Sequence, residues 1–427
     1  MQSIVATHQI SIAGRLRLLL AGLVMVSLAT ATSAADWQGQ MVKKNDTPHM
    51  MNPARPSEKP QTVSPRQLWE AGGDEDADYL FGVLSQITTD DYGNIYLLDS
   101  QLSEVFVFSP HGEYIRSIGR EGEGPGEFRR PSDLFLTASG DVAVMQTMPG
   151  KIVLLSPEGD PMGNHPVPEP ANDGMQMFFS GKSAGKNIVL SVNQFSRQKA
   201  GFTMTSELIV VDPSGEKLAT YASYDQERDF ANMAIDEKTF GRNRMMWTTS
   251  KDGKVYVSSD FDAYTIEVWN ADGTHDRVIE REYEHRVRTE EEKERNKPRV
   301  MFRGRGGARR PETIASDTDR DIQDLIARED GTLWVLNSRG AYSVDDGVIA
   351  RFDVFDPEGR FIEEVTIEGE GDYTEDGFHV VRDRLYVVTG FRSAQRAMFG
   401  GSDEEAEDDG EPMRVICYEL RSIVARE

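Results

Sequence analysis

Cysteine is nearly absent from the sequence, with Cys417 the only one among 427 residues. A lone thiol cannot form a disulfide within the chain, so the core alone must stabilise the fold. Its position near the C-terminus also excludes a role as an N-terminal lipid-attachment cysteine. Cys417 lies in the apolar run 415–418, which predicts a buried and unreactive thiol.

Long apolar runs are also scarce. Residues 18–29 form an apolar run of 12 residues, preceded by two arginines. This run is short for a membrane span and suits the hydrophobic part of an export signal. Small residues at 33–35 allow cleavage before Asp36. We therefore expect a signal peptide over residues 1–35, a periplasmic or extracellular protein, and no stable membrane span after cleavage. A retained membrane anchor is the alternative.

Positive charge is in deficit. The chain has 47 Lys and Arg against 72 Asp and Glu, which gives a net charge of −25 at pH 7. Such a surface repels nucleic acid and anionic membranes, so neither is expected as a partner.

Residues 36–65 hold five prolines and few large apolar side chains. This composition predicts a disordered linker between the signal and the folded body. The remaining residues, 66–427, are enough for one large domain or two.

A repeated turn is the strongest pattern in the sequence. An apolar strand, a turn of the form [Ser/Asp/Asn]-x-x-Gly and a second strand occur together five times. The first residue of the turn can accept bonds from backbone amides, and the glycine tolerates a positive φ. Each copy therefore predicts an antiparallel hairpin. The turns lie at residues 109–112, 156–159, 212–215, 270–273 and 356–359.

A second glycine turn with its own strand precedes each copy, and another short apolar strand lies ahead of that. The repeated turns start 47, 56, 58 and 86 residues apart. The last interval is 39 residues longer than the first, which matches a distinct insert at 282–320. Four strands per unit at this period predict the blades of a β-propeller.

The two ends of the chain complete the last unit. Residues 378–381, 385–388 and 415–418 supply three strands of a sixth unit, and residues 66–70 supply the fourth. The predicted fold is all-β, a six-bladed β-propeller over residues 66–427 that is closed by an N-terminal strand.

One junction carries a family signature. Residues 119–128, followed by Pro131, resemble the linker between NHL repeats, in which a Gly-Pro-Gly-x-Phe segment leads into the inner strand of the next blade. The other units match by strand and turn pattern alone. The resemblance implies a secreted bacterial six-bladed propeller of the NHL-repeat or TolB-like type.

Two segments interrupt the repeat. Thr289 begins a capping-box sequence that predicts a short helix. Residues 295–310 then hold seven basic residues and no acid. This stretch resembles an RGG-type nucleic-acid element, but we interpret it as a basic loop between blades 4 and 5, because an exported protein rarely meets RNA. Residues 402–411 hold seven carboxylates and predict an acidic loop in the last blade.

Ligands of propellers usually bind at one mouth of the central channel, which the inner strands line. Counting back seven residues from the turn glycine of each unit gives equivalent inner-strand positions, including Phe178 and Met246, and His379 falls near the same level. Two arginines that follow the Gly-rich linker join them. The candidate ligand-binding residues are Gln86, Asp133, Asp324, His379, Arg129 and Arg130.

Two carboxylates, an amide and an imidazole facing one another can hold a divalent cation such as calcium. Asp133 and Asp324 would be its ligands. Propeller lactonases and amidating lyases use metal sites in this location, although with more Glu, Asn or His ligands. A metal-dependent hydrolase or lyase of the lactonase-like kind is therefore one hypothesis.

No catalytic motif supports an enzyme more directly. The sequence has no Gly-x-Ser-x-Gly elbow, and its seven histidines are scattered. We therefore expect an exported, non-catalytic monomer that binds a protein, peptide or glycan at the channel mouth and needs no cofactor. The metal-dependent enzyme is the alternative, and an assembly partner whose basic insert docks another subunit is a third hypothesis.

Overall fold

The computed structural model describes residues 37–73, 79–170, 174–199, 201–229, 234–238, 245–297, 302–304, 307–309, 311–398 and 412–420. All of them lie within one structural unit, Asp36–Glu427. The predicted signal peptide, the acidic stretch 402–411 and the side chains of residues 298–310 lie outside the described residues.

The described residues form 33 strands and three short helices. None of these helices has the length and apolarity needed to cross a membrane. The first strands are β1 (Gln40–Lys44), β2 (Thr47–Asn52), β3 (Gln61–Val63), β4 (Arg66–Gly72), β5 (Leu84–Thr89), β6 (Ile95–Asp99), β7 (Glu104–Phe108), β8 (Tyr114–Ile118), β9 (Arg120–Glu121), β10 (Glu127–Phe128), β11 (Pro131–Leu136), β12 (Val142–Gln146), β13 (Lys151–Leu155) and β14 (Pro161–His165).

The middle strands are β15 (Met175–Ala184), β16 (Asn187–Arg197), β17 (Gly201–Val211), β18 (Lys217–Asp229), β19 (Ala234–Asp236), β20 (Met246–Thr249), β21 (Val255–Ser258), β22 (Thr265–Trp269) and β23 (His275–Arg281). The last strands are β24 (Phe302–Gly304), β25 (Gly307–Arg309), β26 (Glu312–Ile314), β27 (Ile322–Ala327), β28 (Leu333–Asn337), β29 (Val348–Phe355), β30 (Phe361–Glu368), β31 (Gly377–Val381), β32 (Arg384–Val388) and β33 (Arg414–Glu419). The helices are α1 (Glu290–Asn296), α2 (Ser338–Tyr342) and α3 (Phe391–Met398).

Six four-stranded antiparallel units form the blades. Blade 1 is β5–β8, blade 2 is β11–β14 and blade 3 is β15–β18. Blade 4 is β20–β23, blade 5 is β27–β30, and blade 6 combines β31, β32 and β33 with β4. The predicted all-β, six-bladed propeller is therefore confirmed.

The repeated turns explain why each blade folds locally. In blade 1, the amide of Gly112 donates to the carbonyl of Ser109 at 3.0 Å, and Gly112 adopts φ 83°. The Ser109 hydroxyl accepts bonds from the amides of His111 and Glu113, each at 3.2 Å. A left-handed residue held this way reverses the chain between the third and fourth strands.

Hydrophobic clusters between neighbouring blades hold the ring together. Tyr96 and Leu98 of blade 1, both buried, pack with Leu134 and Val144 of blade 2. Equivalent clusters join each of the other neighbouring pairs, including blade 6 to blade 1. Burial of each such side chain contributes about 1.5–3 kcal/mol, so every blade depends on both of its neighbours.

Blade 6 joins the two ends of the chain. The antiparallel ladder between β33 and β4 places Cys417 opposite Trp69. The Cys417 side chain is fully buried, and burial raises the pKa of its thiol to about 11. The buried thiol predicted from the sequence is therefore present.

The segment 36–65 is not the disordered linker that its composition predicts. Strand β2 pairs in parallel with β23 at the outer edge of blade 4, and β3 pairs in parallel with β30 at the outer edge of blade 5. An added outer strand needs backbone hydrogen bonds rather than an apolar face, so a polar, proline-containing sequence suffices. Met50 and Asn52 nevertheless become buried.

The Gly-rich junction between blades 1 and 2 has a clear packing role. Phe128 is fully buried among the residues that join the two blades. Gly119, at φ 72°, lies so close to the Phe128 ring that a Cβ there would approach it to 2.4 Å. The close contact requires glycine at this position.

The insert between blades 4 and 5 begins with the predicted helix α1. Thr289 accepts a bond from the amide of Glu292, and the Glu292 side chain accepts one from the amide of Thr289. This is the capping box that the sequence predicts.

The antiparallel order of each blade determines where the long connections lie. Connections between second and third strands, and connections between blades, both leave from the end at which the inner strands begin. Helices α1, α2 and α3 all belong to such connections. We call this end of the propeller the long-connection face.

Candidate functional site

Two of the predicted channel residues are in direct contact. The Gln86 side chain donates from Nε2 to Oδ1 of Asp133 at 2.7 Å. The amides of Leu134 and Gly181 each donate to the same carboxylate at 2.8 Å. Burial raises the pKa of Asp133 above its usual value, although these donors oppose the shift. The carboxylate thus ties blades 1, 2 and 3 together at their inner strands.

Asp324 lies on the inner strand of blade 5, as predicted. Its carboxylate accepts a bond from the amide of Leu325 at 2.8 Å. Burial raises its pKa, and the charge of Lys182 is the main opposing influence. Lys182 also lowers the pKa of Asp133, so one lysine acts on both predicted carboxylates.

Lys182 is a channel-side residue that the repeat spacing does not indicate. Counting back seven residues gives Phe178 in blade 3, but the turn after this inner strand is short, because Ala184 pairs with Asn187, so the count reaches too far back. Phe178 is fully buried between blades 2 and 3, while Lys182 donates to Oγ1 of Thr248 at 3.2 Å. In blades 1 and 2 the corresponding turn is longer, since Thr89 pairs with Ile95 and Leu136 with Val142, so a fixed spacing fails only where the turn is short.

His379 does not lie level with Gln86. In blade 6 that level belongs to Gly377, which pairs with Val388, and His379 lies two residues further along, opposite Tyr386. Its Nε2 atom is buried and has no hydrogen-bond partner among the described residues. Burial, with a smaller effect of the Arg392 charge, lowers the pKa of His379 to about 4.

The residues predicted to hold a divalent cation do not form a ligand set. Within the described ranges, no three histidine, cysteine or acidic side chains lie close enough together to hold a metal ion. Asp133 already accepts three hydrogen bonds, and a lysine rather than a third carboxylate accompanies Asp133 and Asp324. The residues present therefore do not fit the calcium-type site that we expected.

Arg129 and Arg130 are exposed beside the Gly-rich junction. Arg129 pairs with Glu123 at 2.7 Å, and its amide donates to the Gln146 side chain at 2.8 Å. Arg130 adopts φ 48°. Neither contacts Gln86 or Asp133 in any described interaction, so the predicted candidates do not form one constellation.

A pocket of about 230 Å³ opens on the long-connection face. We call it the mouth pocket. Its walls come from the insert, from α2, from the connection between blades 5 and 6, and from α3. The lining residues are Arg286, Glu292, Arg295, Asn296, Asp319, Tyr342, Tyr373, Thr374, Arg392 and Gln395.

Ion pairs fix one wall of the mouth pocket. Arg286 contacts Glu292 and Asp319, each at 2.5 Å. Arg288 contacts the same Asp319 at 2.6 Å and Glu237 at 2.7 Å. The Arg288 side chain is 6% exposed and that of Asp319 is 3% exposed, so this network is shielded from water and resists screening. These carboxylates are paired with arginines and are therefore not available to bind a ligand.

Aromatic rings form another part of the wall. Tyr373 stacks on Phe378 with ring centroids 5.5 Å apart, and the Arg392 guanidinium lies 5.0 Å from the Tyr373 ring centroid. Tyr342 meets Tyr373 edge to face at 5.6 Å. Burial raises the pKa of both tyrosines, so both hydroxyls stay protonated near neutral pH.

Arg392 has few partners for a charged group. Its Nε atom is buried and has no hydrogen-bond partner among the described residues. None of the ion pairs found in the described part of the chain involves Arg392, whereas Arg286 and Arg288 have two each. A half-buried guanidinium that has no carboxylate partner among the described residues favours an anionic ligand. No local sequence pattern indicates Arg392, because Tyr373, whose ring it contacts, lies on a separate connection.

The fold and the mouth pocket define a six-bladed propeller with a polar pocket on its long-connection face. A family model described as a 6-bladed beta-propeller, DUF5128, matches residues 76–300. The chain belongs to this family. None of the curated protein sequences matches it. The finer assignment to the NHL-repeat or TolB-like type stays a prediction.

Several solved structures are similar in outline. A Bacteroides fragilis protein named for its expected export is 14% identical, with 84% of this chain and 97% of that chain covered and a TM-score of 0.45. A DUF4221 member from Bacteroides vulgatus is 11% identical, with 89% and 98% covered and a TM-score of 0.45. A gluconolactonase from Xanthomonas campestris is 10% identical, with 79% and 88% covered and a TM-score of 0.40. These values are too low to carry over a ligand or a reaction.

Proposed function

We propose that this chain is an exported, non-catalytic propeller that binds a ligand at the mouth of its channel, the ligand being a protein, a peptide or a glycan. The observation that carries the proposal is the mouth pocket, where Arg392 lies against a tyrosine stack and has no carboxylate partner among the described residues. Binding sites are typically concave and contain a few fixed polar groups.

The channel residues favour binding over catalysis. A general base must reach its substrate and exchange a proton near the working pH. Asp133 accepts three protein hydrogen bonds and is buried. The free ring nitrogen of His379 is also buried. Both groups serve the packing of inner strands better than they serve a reaction.

A thermal-stability screen tests the proposal. Purified protein would be mixed with panels of peptides, proteins and glycans, and a true ligand at about 100 times its Kd should raise the free energy of unfolding by about 2.7 kcal/mol. Arg392→Met should abolish the shift, while Arg197→Met, at an exposed position on β16, should retain it. Turnover of esters, lactones or peptides by the purified protein would contradict the non-catalytic part.

Export and assembly state have their own tests. Mass spectrometry of the protein from the producing cell should show a chain that begins at Asp36. Sedimentation of that protein should give a monomer. A chain that keeps residues 1–35 and fractionates with membranes would support the retained anchor instead. Loss of partner binding on deletion of residues 298–310 would support the assembly hypothesis.

A further inference from the structure

The mouth pocket carries a positive charge on a strongly acidic protein. Its ion-pair network contains two arginines and three carboxylates, namely Arg286, Arg288, Glu237, Glu292 and Asp319. That network leaves one negative charge. Arg295 and Arg392 line the same pocket and add two positive charges, so the pocket is net positive by one. The whole chain carries −25, so the local sign is opposite to that of the surface around it.

The guanidinium of Arg392 is held in place before any ligand arrives. Tyr373 stacks on Phe378 with the two ring planes inclined by only 8°, and the Arg392 guanidinium lies over the Tyr373 ring. Tyr342 braces Tyr373 from the side and is itself fixed by a bond from its hydroxyl to Gln323 at 3.2 Å. A planar, preorganised guanidinium suits a planar carboxylate, because little conformational entropy is lost on binding.

The remaining lining residues restrict the rest of the ligand. Asn296, Thr374 and Gln395 provide amide and hydroxyl groups, and no aliphatic side chain is among the described residues that line the pocket. An apolar peptide side chain would find only the rings of Tyr342 and Tyr373 to pack against there. A ring that carries several hydroxyl groups would find a donor or an acceptor on most sides.

We infer that the mouth pocket binds a carboxylate-bearing sugar, such as a uronic acid residue of an acidic glycan. Arg392 contacts the carboxylate, and Asn296, Thr374 and Gln395 contact the ring hydroxyls. This inference rests on the proposed binding function and names the ligand class for the same pocket.

Calorimetric titration with chemically matched probes tests the inference. The probes are digalacturonate, its neutral counterpart digalactose, and a short peptide rich in glutamate that supplies the same carboxylates without the sugar ring. Digalacturonate should bind, digalactose should bind at least about tenfold more weakly, and the glutamate peptide should bind more weakly than digalacturonate. Added salt should weaken the binding of digalacturonate.

Variants of the full chain separate charge from geometry. Arg392→Met should reduce affinity for digalacturonate by about tenfold or more. Arg392→Lys keeps the charge but loses the planar fork of the guanidinium. Its affinity for digalacturonate should therefore lie between those of Arg392→Met and the wild type. Arg197→Met is the matched control and should bind as the wild type does. Circular dichroism and melting curves check that each variant remains folded.

The possible outcomes distinguish the inference from the proposed function. Equal binding of digalactose and digalacturonate, or unchanged binding by Arg392→Met, overturns the carboxylate inference while the binding function stands. Tighter binding of the glutamate peptide assigns the carboxylate to a protein ligand and overturns the sugar. If no probe and no member of the wider screen binds, the proposed function fails as well.

Discussion

The carboxamide oxygen of Asn52 accepts a hydrogen bond at 2.7 Å from the backbone amide of Phe361, 309 residues further along the chain. The same oxygen accepts a bond from Nε1 of Trp37 at 2.8 Å. Its Nδ2 atom donates to the carbonyls of Met50, Glu280 and Gly359 at 3.0–3.1 Å. One side chain therefore fastens the N-terminal segment to blades 4 and 5.

Replacement of Asn52 by leucine should destabilise the propeller by about 2–4 kcal/mol. The substitution leaves the amide of Phe361 and several carbonyls buried without partners, and each such group costs about 1–3 kcal/mol. Urea unfolding followed by tryptophan fluorescence measures the change. Asn164→Leu, at an exposed position on β14, is the control and should change stability by less than about 0.5 kcal/mol. An equal loss of unfolding free energy in the two variants would show that Asn52 does not hold the N-terminal strands on blades 4 and 5.

The lone thiol can report on closure of the ring. Cys417 is fully buried and its thiol has a pKa of about 11, so an aromatic disulfide reagent should label it very slowly at pH 8. Trp69→Ala removes the ring opposite Cys417, which stacks on Phe108 at 6.4 Å, and should speed labelling many-fold.

Gln67→Ala, at an exposed position on the same strand, is the control for Trp69→Ala and should label as slowly as the wild type. Rapid labelling of the folded wild type would mean that the seam between β4 and β33 opens freely.

A buried ion pair joins blades 4 and 5. Arg281 contacts Asp353 at 2.7 Å, with side-chain exposures of 7% and 0%, and Tyr264 and Asn337 also donate to this carboxylate. Asp353→Ala should lower the free energy of unfolding by about 3–5 kcal/mol, because the buried Arg281 guanidinium loses this carboxylate.

The exposed pair of Arg339 and Glu284 is the comparison for Asp353→Ala. Glu284→Ala should change the free energy of unfolding by less than about 1 kcal/mol. A double variant, Arg281→Met with Asp353→Leu, should recover much of the loss, because no unpaired buried charge remains. Failure of the double variant to recover stability would assign the loss to packing rather than charge.

The blades were predictable from sequence because each carries its own local signals. The turn that ends in Gly159, for example, combines a positive-φ glycine with apolar strands on both sides. Strands β1–β3 gave no such signal, since an outer strand is held by backbone bonds that any polar sequence can make. For the same reason, the composition of these strands resembles that of a disordered linker.

The candidate site was predictable only in part. Gln86 and Asp133 meet because blades 1 and 2 share the same turn length, so equal spacing gives equal height. Blade 3 departs from that rule because its first turn is shorter, with Ala184 paired to Asn187, so the same spacing did not indicate Lys182. Arg392 could not be predicted, because Tyr373, whose ring it contacts, lies on the connection between blades 5 and 6 and no short-range pattern encodes this contact.

His379 should make stability depend on pH between about 4 and 6.5. Burial lowers its pKa in the folded protein to about 4, whereas the unfolded chain has the ordinary value near 6.5. The unfolded state therefore binds the proton more readily in this window. Stability is fully present above pH 6.5 and falls as the pH drops toward 4. From pH 7.5 to pH 5 the loss should be about 2 kcal/mol.

Comparison with a second histidine isolates this effect from the carboxylates. Burial raises the pKa values of Asp133 and Asp324, so their protonation on acidification favours the folded state and partly offsets the histidine. Both variants keep those carboxylates. Urea unfolding at pH 7.5 and pH 5 should show that His379→Gln loses about 2 kcal/mol less than the wild type. His111→Gln, at an exposed turn position, should follow the wild type. An identical pH response in the two variants would mean that His379 is already accessible to protons in the folded ring, and that the inner strand of blade 6 is less enclosed than its packing implies.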